Sequence, residues 1–424
     1  MTKGKRLQIL LLVVALTLFA SSVTVSAEKI VLRVAHAWES TFVDVQKEFD
    51  KKFMEKYPHI EIRLENFAWE NILEKLQTQA AAGTLPDVFY VHCSWAQQFI
   101  RQGMLMPLNS YIEATPDFNM DDMFPVGLTP YWSNGTIYAL PYDAGPMALY
   151  YNKDMFDEAG LPYPTDDWVL DDLLDNAKKL TKDLNGDGRV DQWGISGTLT
   201  HETINAPVLA GFGAQLVNDD ETECLVTTPE AIEAFKWWIA LDTEHKVAPS
   251  PAQVTAIVEP FTFGRVGMTF GGSWMMERWL RFGTFDADVA HVPAGPAGRY
   301  TTVAGSGYGI AATTKNAEAA WLYLSEYLSE EGVKFMWGRT GRGSPSRLSA
   351  WPDFIKAWEG KNVRVFEEML GYGLFQRPIS PAAPQVSTIV NREIELMQLG
   401  RKSVEEGLQQ IKQEVDAVLA EYNR

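Results

Sequence analysis

Ile60-Glu61-Ile62-Arg63-Leu64-Glu65 alternates apolar and charged residues without a break, the period of a strand with one face buried. Lys29 to Val34 repeats the pattern, with Ile30, Leu32 and Val34 on one side. Between them, Phe42, Val45, Phe49 and Phe53 recur at helical spacing until Pro58 stops the run. Downstream, Trp69 to Ala82 reads as a second helix, ended by Gly83 and followed by Pro86, and Val88 to Val91 as a short apolar strand. The order β-α-β-α-β predicts a mostly parallel open sheet covered by helices. Ligands of such sheets sit beyond the carboxyl ends of the strands. That rule points to Ala37-Trp38-Glu39-Ser40 after the first strand and to His92-Cys93-Ser94-Trp95 after the third.

The N-terminus speaks to compartment. Lys3, Lys5 and Arg6 precede an apolar run from Leu7 to Ala20, and Val25-Ser26-Ala27 places small residues where a signal peptidase needs them. The run is shorter than the roughly 20 residues that span a bilayer. Residues 1–27 are therefore expected to be a cleaved leader, with the mature chain starting at Glu28. No cysteine stands there to carry a lipid, so a secreted, periplasmic protein is expected. The formal charge is −18, and without the three cations of the leader it falls to −21, a balance that repels nucleic acid and anionic lipid. The 397 residues beyond position 27 exceed what one core usually holds, so two domains are expected. Cys93 and Cys224, far apart, are read as two ordinary thiols. Fourteen tryptophans are more than core filling asks for, and some are expected in a pocket.

Further along, Asn134-Gly135 between strand-like segments predicts a hairpin. Pro141-Tyr142-Asp143-Ala144-Gly145-Pro146 is rich in turn residues and reads as a first crossing between lobes. Beyond it come a strand at 147–151 and helices at 153–159, 171–181 and 229–244. A strand at 267–270 leads into Gly271-Gly272-Ser273-Trp274, Gly305 to Ala312 returns as a strand, and helices occupy 316–328 and the tail from 386.

Ala148-Leu149-Tyr150-Tyr151-Asn152-Lys153-Asp154-Met155-Phe156-Asp157-Glu158-Ala159-Gly160-Leu161 carries a resemblance that extends over nearly all of the mature chain. It is joined by Gly83 to Val88, Tyr138 to Pro141, Phe263 to Met268, Gly271 to Trp274 and Gly305 to Ile310. In order and spacing these resemble the extracellular sugar-binding components of bacterial ABC importers, the group of maltose-binding protein. The resemblance implies an α/β, two-lobed periplasmic binding protein fold of type II, each lobe an open mixed sheet flanked by helices. It implies lobe 1 from residues 28–143 and 303–348, and lobe 2 from 144–302 and 349–424. It also implies a monomer that closes by hinge motion on a carbohydrate and docks on a membrane permease, with no catalysis. Many relatives carry a lipid anchor on a cysteine after the leader, and none is expected here.

Sugar rings offer apolar C–H faces to aromatic side chains and hydroxyls that need planar polar partners. Trp274 is the leading platform, because two glycines and a serine at a strand end let the backbone present its ring; the family's similar position commonly stacks on sugar. Trp38, Trp95 and Tyr308 follow, each with core packing as the rival reading. Glu39, Asp87 and Asp143 are the candidate hydroxyl partners, although Asp87 could instead brace its own loop. Arg342 and Arg347 in Gly-Arg-Gly-Ser-Pro-Ser-Arg offer donors, against the alternative of solvated arginines.

Asp183-Leu184-Asn185-Gly186-Asp187-Gly188-Arg189-Val190-Asp191 matches a calcium loop at positions 1, 3, 5, 6 and 9, with the Arg189 carbonyl at position 7. Gly194 stands where an EF-hand needs glutamate, so a full EF-hand is excluded, and a structural calcium ion completed by an acid from elsewhere is expected; a plain Asp/Asn/Gly turn is the rival. No cofactor is required. His201-Glu202 lacks the second histidine of a zinc peptidase, and there is no phosphate-binding Gly-Lys-Ser/Thr loop and no Cys-x-x-Cys. Two alternatives remain: a polyamine or glycerol phosphodiester in the same fold, and a secreted glycoside hydrolase, which would need two carboxyl groups flanking the bond.

Overall fold

The computed structural model describes residues 29–422 apart from 39, 197–202, 258 and 376. The expected leader, the candidate Glu39 and the pair His201-Glu202 lie outside the described residues.

Among the described residues the chain builds two large sheets and a separate two-stranded hairpin. In the first, β1 (Ile30–His36) pairs in parallel with β2 (Ile60–Asn66) and β3 (Val88–His92), as the β-α-β-α-β order predicts. β12 (Ser306–Ile310) then runs antiparallel between β3 and β6 (Ala139–Pro141), which makes the sheet mixed. The helices Ser40–Lys56, Trp69–Ala81, Cys93–Arg101 and Ala317–Tyr327 belong to the same lobe. Their buried faces follow the helical period: Phe42, Phe49 and Phe53 are all under 10 % exposed. The hairpin forms where Asn-Gly predicts it, between β4 (Trp132–Ser133) and β5 (Thr136–Ile137), with positive φ at both Asn134 and Gly135.

In the second sheet, β7 (Gly145–Asn152) is central. It pairs antiparallel with β9 (Val266–Gly272), β10 (Ala287–Ala290) and β11 (Thr301–Ala304). β8 (Trp193–Ile195) and β13 (Gly373–Phe375) extend it at either side. Both faces of β7 are covered, and its residues alternate between two cores. Leu149 and Tyr151 join Leu173, Phe235 and Ile394 on one side, while Ala148 and Tyr150 join Trp279, Trp351 and Phe366 on the other. Asn152 ends the strand and caps the helix Lys153–Glu158, its Oδ1 accepting from the Met155 amide at 3.1 Å.

Among the described residues the chain passes between the two large sheets three times. The first crossing, Tyr142 to Ala144, falls where the turn residues predict it. The second is Gly305, since Thr301–Ala304 still pairs within the second sheet; this sets the crossing two residues later than a boundary at 303. The third runs through residues 343–350, after which Trp351 packs into the second lobe. These crossings touch. A Cβ on Gly305 would lie 2.9 Å from the Asp143 carbonyl oxygen, so only glycine fits. The Tyr142 amide donates to Ser306 O at 2.9 Å and the Ser346 amide to Tyr142 O at 3.1 Å. Cys93 and Cys224 are both buried, in different lobes, and are not joined to each other. Among the described residues no helix is long and apolar enough to cross a membrane.

Candidate functional site

A cleft of about 560 Å³ lies where the carboxyl ends of β1, β2 and β3 meet the crossings and the end of β9. This is the position expected for a ligand of a parallel sheet. The first lobe contributes Ala37 and Trp38 after β1, Trp69 and Glu70 after β2, and Tyr90 and His92 from β3. The crossings contribute Tyr142, Asp143, Ser306 and Arg342, and the second lobe Trp274, Met275 and Arg278.

Trp274 lies in this wall as expected, half-buried, with its ring against the crossing backbone. A Cβ on Gly145 would come within 2.9 Å of the indole, and Gly272 has no room for one either. Trp38 lines the cleft but is only 4 % exposed. It packs on Phe42 and Tyr142, with ring centroids 4.7 and 5.2 Å away. Trp95 does not reach the cleft lining. It is buried behind Trp69, stacked on it at 5.3 Å and 26°, and the exposed ring is Trp69. Asymmetry in the first lobe therefore favours Trp69, which is 45 % exposed with its edge toward His92 at 4.9 Å.

Asp143 is in the cleft and nearly sealed. Its Oδ1 accepts from the Ser306 amide at 2.6 Å. Burial pushes its carboxyl up to about 7, against the lowering pull of that hydrogen bond and of the Arg342 charge. Arg342 places its guanidinium 5.5 Å from the Trp38 ring centroid, within cation–π range. Burial holds His92 down at about 4, so this ring is neutral at pH 7 and its Nδ1 lies 2.6 Å from Ser94 Oγ. Arg278 is ion-paired with Glu259 at the rim. The walls thus combine flat indoles with a carboxyl, a guanidinium, an imidazole and a hydroxyl.

Besides Trp95, three expectations are corrected. Asp87 sits at the amino end of β3, away from the cleft lining, and braces its loop: it accepts from the Arg33 amide at 2.9 Å and from Thr314 Oγ1 at 2.5 Å. Tyr308 lies on β12, within the strand expected from Gly305 to Ala312, and is core rather than cleft lining: it stands opposite Tyr90 and Leu140, is 1 % exposed, and bonds His36 through its hydroxyl. Arg347 has no exposure and its guanidinium is spent on backbone, donating to Leu328 O at 2.6 Å, Phe118 O at 2.7 Å and Asn119 O at 2.8 Å.

The profile of the bacterial extracellular solute-binding proteins matches residues 39–334. The chain belongs to this family. A putative binding protein of Brucella abortus is 26 % identical over 388 residues, 88 % of this chain and 89 % of that one. A maltotriose-binding protein of Pyrococcus abyssi is 24 % identical, covering 70 % of this chain and 62 % of its own. Among solved structures, an ABC substrate-binding protein from Listeria monocytogenes in complex with cycloalternan superposes with a TM-score of 0.84 at 27 % identity, over 92 % of this chain and 99 % of that one. A solute-binding protein from Thermotoga lettingae bound to α-D-tagatose, at 24 % identity, a TM-score of 0.78 and coverage of 92 % and 100 %, shares the fold. The two-lobed type II binding-protein fold is therefore the fold of this solute-binding protein.

The loop at 183–191 lies far along the second lobe's chain from this cleft. Asp183 accepts the Gly186 and Gly188 amides, each at 2.7 Å. Asn185 and Asp187 accept the amides two residues on, each at 2.8 Å, and Asp191 the Leu184 amide at 3.1 Å. These are the hydrogen bonds of successive Asx turns. Among the described residues no three His, Cys, Asp or Glu side chains gather as a metal would require.

Trp69, Tyr90 and Tyr142 are cleft residues that the sequence reading did not single out, whereas His92 lies in the loop it pointed to after the third strand. Trp69 had a signal: it follows the carboxyl end of β2, by the same rule that singled out Trp38. Tyr142 stood inside the crossing already recognised. Nothing in the sequence marks Tyr90, which lies within a strand.

Proposed function

We propose that this solute-binding protein captures a carbohydrate between its lobes and delivers it, unchanged, to the permease of an ABC importer. The observation that carries the reading is the pair of cleft indoles, Trp69 from one lobe and Trp274 from the other, with Asp143, Arg342 and Ser306 between them. Indole faces take sugar C–H surfaces, and the polar groups can exchange hydrogen bonds with hydroxyls. The relatives named for maltotriose and cycloalternan support the same class. We further propose that residues 1–27 are removed as a leader, that the mature protein works in the periplasm as a monomer, and that it does no chemistry on its ligand.

Calorimetry tests this against a panel of mono- and oligosaccharides, polyamines and glycerol phosphodiesters. Binding of a saccharide is expected; binding confined to a polyamine or phosphodiester would replace the reading. Labelled oligosaccharides incubated with the protein should remain intact, and release of cleavage products would favour a hydrolase.

A structural calcium ion in the loop of Asp183, Asn185, Asp187, Arg189 and Asp191 is a separate proposal. The spacing of the oxygen side chains and the positive φ at Gly186 and Gly188 support it. Its cost is the loss of the Asx-turn hydrogen bonds, which a bound ion would have to outcompete.

A further inference from the structure

Gln46 has no exposure, although it lies on the same helix face as Phe42, Phe49 and Phe53. A buried amide is costly unless its hydrogen bonds are made, and here they are. Its Nε2 donates to Asp50 Oδ1 at 2.8 Å and to Tyr323 OH at 2.9 Å. Its Oε1 accepts from Tyr327 OH at 2.6 Å and from the indole N–H of Trp38 at 3.2 Å. Tyr323 closes the network by donating to Asp50 at 2.7 Å. One edge of a cleft tryptophan is thus fastened to a saturated polar cluster inside the lobe. Its ring also lies under the Arg342 guanidinium, 5.5 Å away, and Arg342 shares the cleft with Asp143.

We propose that Gln46 is a positioning residue of the solute site: by holding the Trp38 indole N–H it fixes the ring on which Arg342 rests, and so sets where the guanidinium meets the solute beside Asp143. This rests on the solute-binding reading above, but its main test needs no ligand. Gln46→Leu fills similar space without the amide, and Gln46→Met, which adapts more readily to a gap, replaces it should the first variant not fold. Proton–nitrogen NMR of protein labelled at tryptophan and arginine reads both groups, with Trp38 identified by Trp38→Phe and Arg342 by Arg342→Lys. Both signals are expected to move in Q46L, and the Trp38 N–H to exchange with solvent about tenfold faster or more, as its protection is lost. Tyr323→Phe, which removes a hydroxyl from the Nε2 end of the same amide and has no contact with Trp38, should leave both in place. A Trp38 signal unmoved in Q46L, or moved equally by Y323F, overturns the proposal. In a second arm, maltotriose affinity should fall about tenfold in Q46L, with no further loss when Q46L is added to W38F; additive losses overturn it. If the wild-type protein does not bind maltotriose, that result bears on the solute class and the NMR arm alone decides.

Discussion

The ring of Trp274 rests on the backbone of Gly145 so closely that a methyl group there would lie 2.9 Å from two indole carbons and 3.3 Å from the Ala304 carbonyl oxygen. The cleft's second-lobe platform is therefore set by the crossing itself, at the point where Asp143-Ala144-Gly145 leaves the first sheet. Gly145→Ala should push the indole out of place. Overpacking of this kind costs about 1–3 kcal/mol of stability, and saccharide affinity should fall by about tenfold or more. Trp274→Ala should lose affinity at least as much with little change in stability, because its ring is half-exposed. Calorimetric titration paired with urea unfolding separates the two variants; unchanged affinity in W274A would remove Trp274 from the site.

Trp69 and Trp95 form a stack whose two rings have different work. The outer ring is exposed to the cleft and the inner one is 7 % exposed, its indole nitrogen buried with no hydrogen-bond partner among the described residues. Trp69→Ala should weaken saccharide binding by about tenfold or more while stability changes little. Trp95→Phe should do the reverse, with affinity within a few-fold of wild type, since the second ring acts only as backing. Equal affinity losses in the two variants would show that the stack binds as a unit.

The strand and helix order of the first lobe was legible because its periods are unmixed: Ile60 to Leu64 alternates, and the phenylalanines of 42–53 recur by turns. The crossing at Tyr142-Asp143 was legible from turn residues, and with it the position of Asp143. The errors have different causes. The carboxyl-end rule already speaks against Asp87, which precedes β3 and so falls at the far end. Sequence does not show which of two stacked rings lies outermost. Trp95 follows β3 and falls behind Trp69. Arg347 sits in a run of small polar residues that promises exposure, yet three carbonyls from distant segments converge on it. Long-range convergence of that kind leaves no local signature.

Arg347 should consequently behave as a structural residue. Its removal strands the carbonyls of Phe118, Asn119 and Leu328 and takes a cation from Asp122, 3.3 Å away. Arg347→Met should destabilise by about 3 kcal/mol or more, and Arg347→Lys should recover little, because one ammonium cannot reproduce the planar fork. Affinity per folded molecule should be unchanged. Denaturant unfolding measures the first effect, and calorimetry corrected for the active fraction the second.

The loop at 183–191 gives a direct test of calcium. If an ion binds the native loop, millimolar calcium should raise the melting temperature over that in chelator, and Asp183→Asn should abolish the rise, by linkage between binding and folding. Magnesium should do less, since it demands a tighter octahedral site. Identical melting curves in calcium and chelator would leave the Asx turns as the whole account of the loop.

Asp143 should make stability depend on pH in an uncommon direction. Its carboxyl lies near 7 in the folded protein, against an ordinary 3.8, because burial disfavours the charged form. The folded state therefore holds this proton over a range in which the unfolded chain has released it. The contribution is fully present below pH 4 and is lost as pH rises to and through 7, amounting to about 4 kcal/mol. His36 and His92, held down at about 3 and about 4 by burial, act in the opposite sense, since they resist a proton the unfolded chain accepts as pH falls below about 6.5. The Asp143 term is isolated by comparison with Asp143→Asn, which keeps an oxygen for the Ser306 amide and cannot ionise. Wild type should be the more stable of the two relative to its own pH 8 value as pH is lowered toward 4, with the gap opening mainly between pH 7 and 4. Urea unfolding of both proteins across that range checks it, and parallel curves would mean that Asp143 is ionised in the folded state at an ordinary pH.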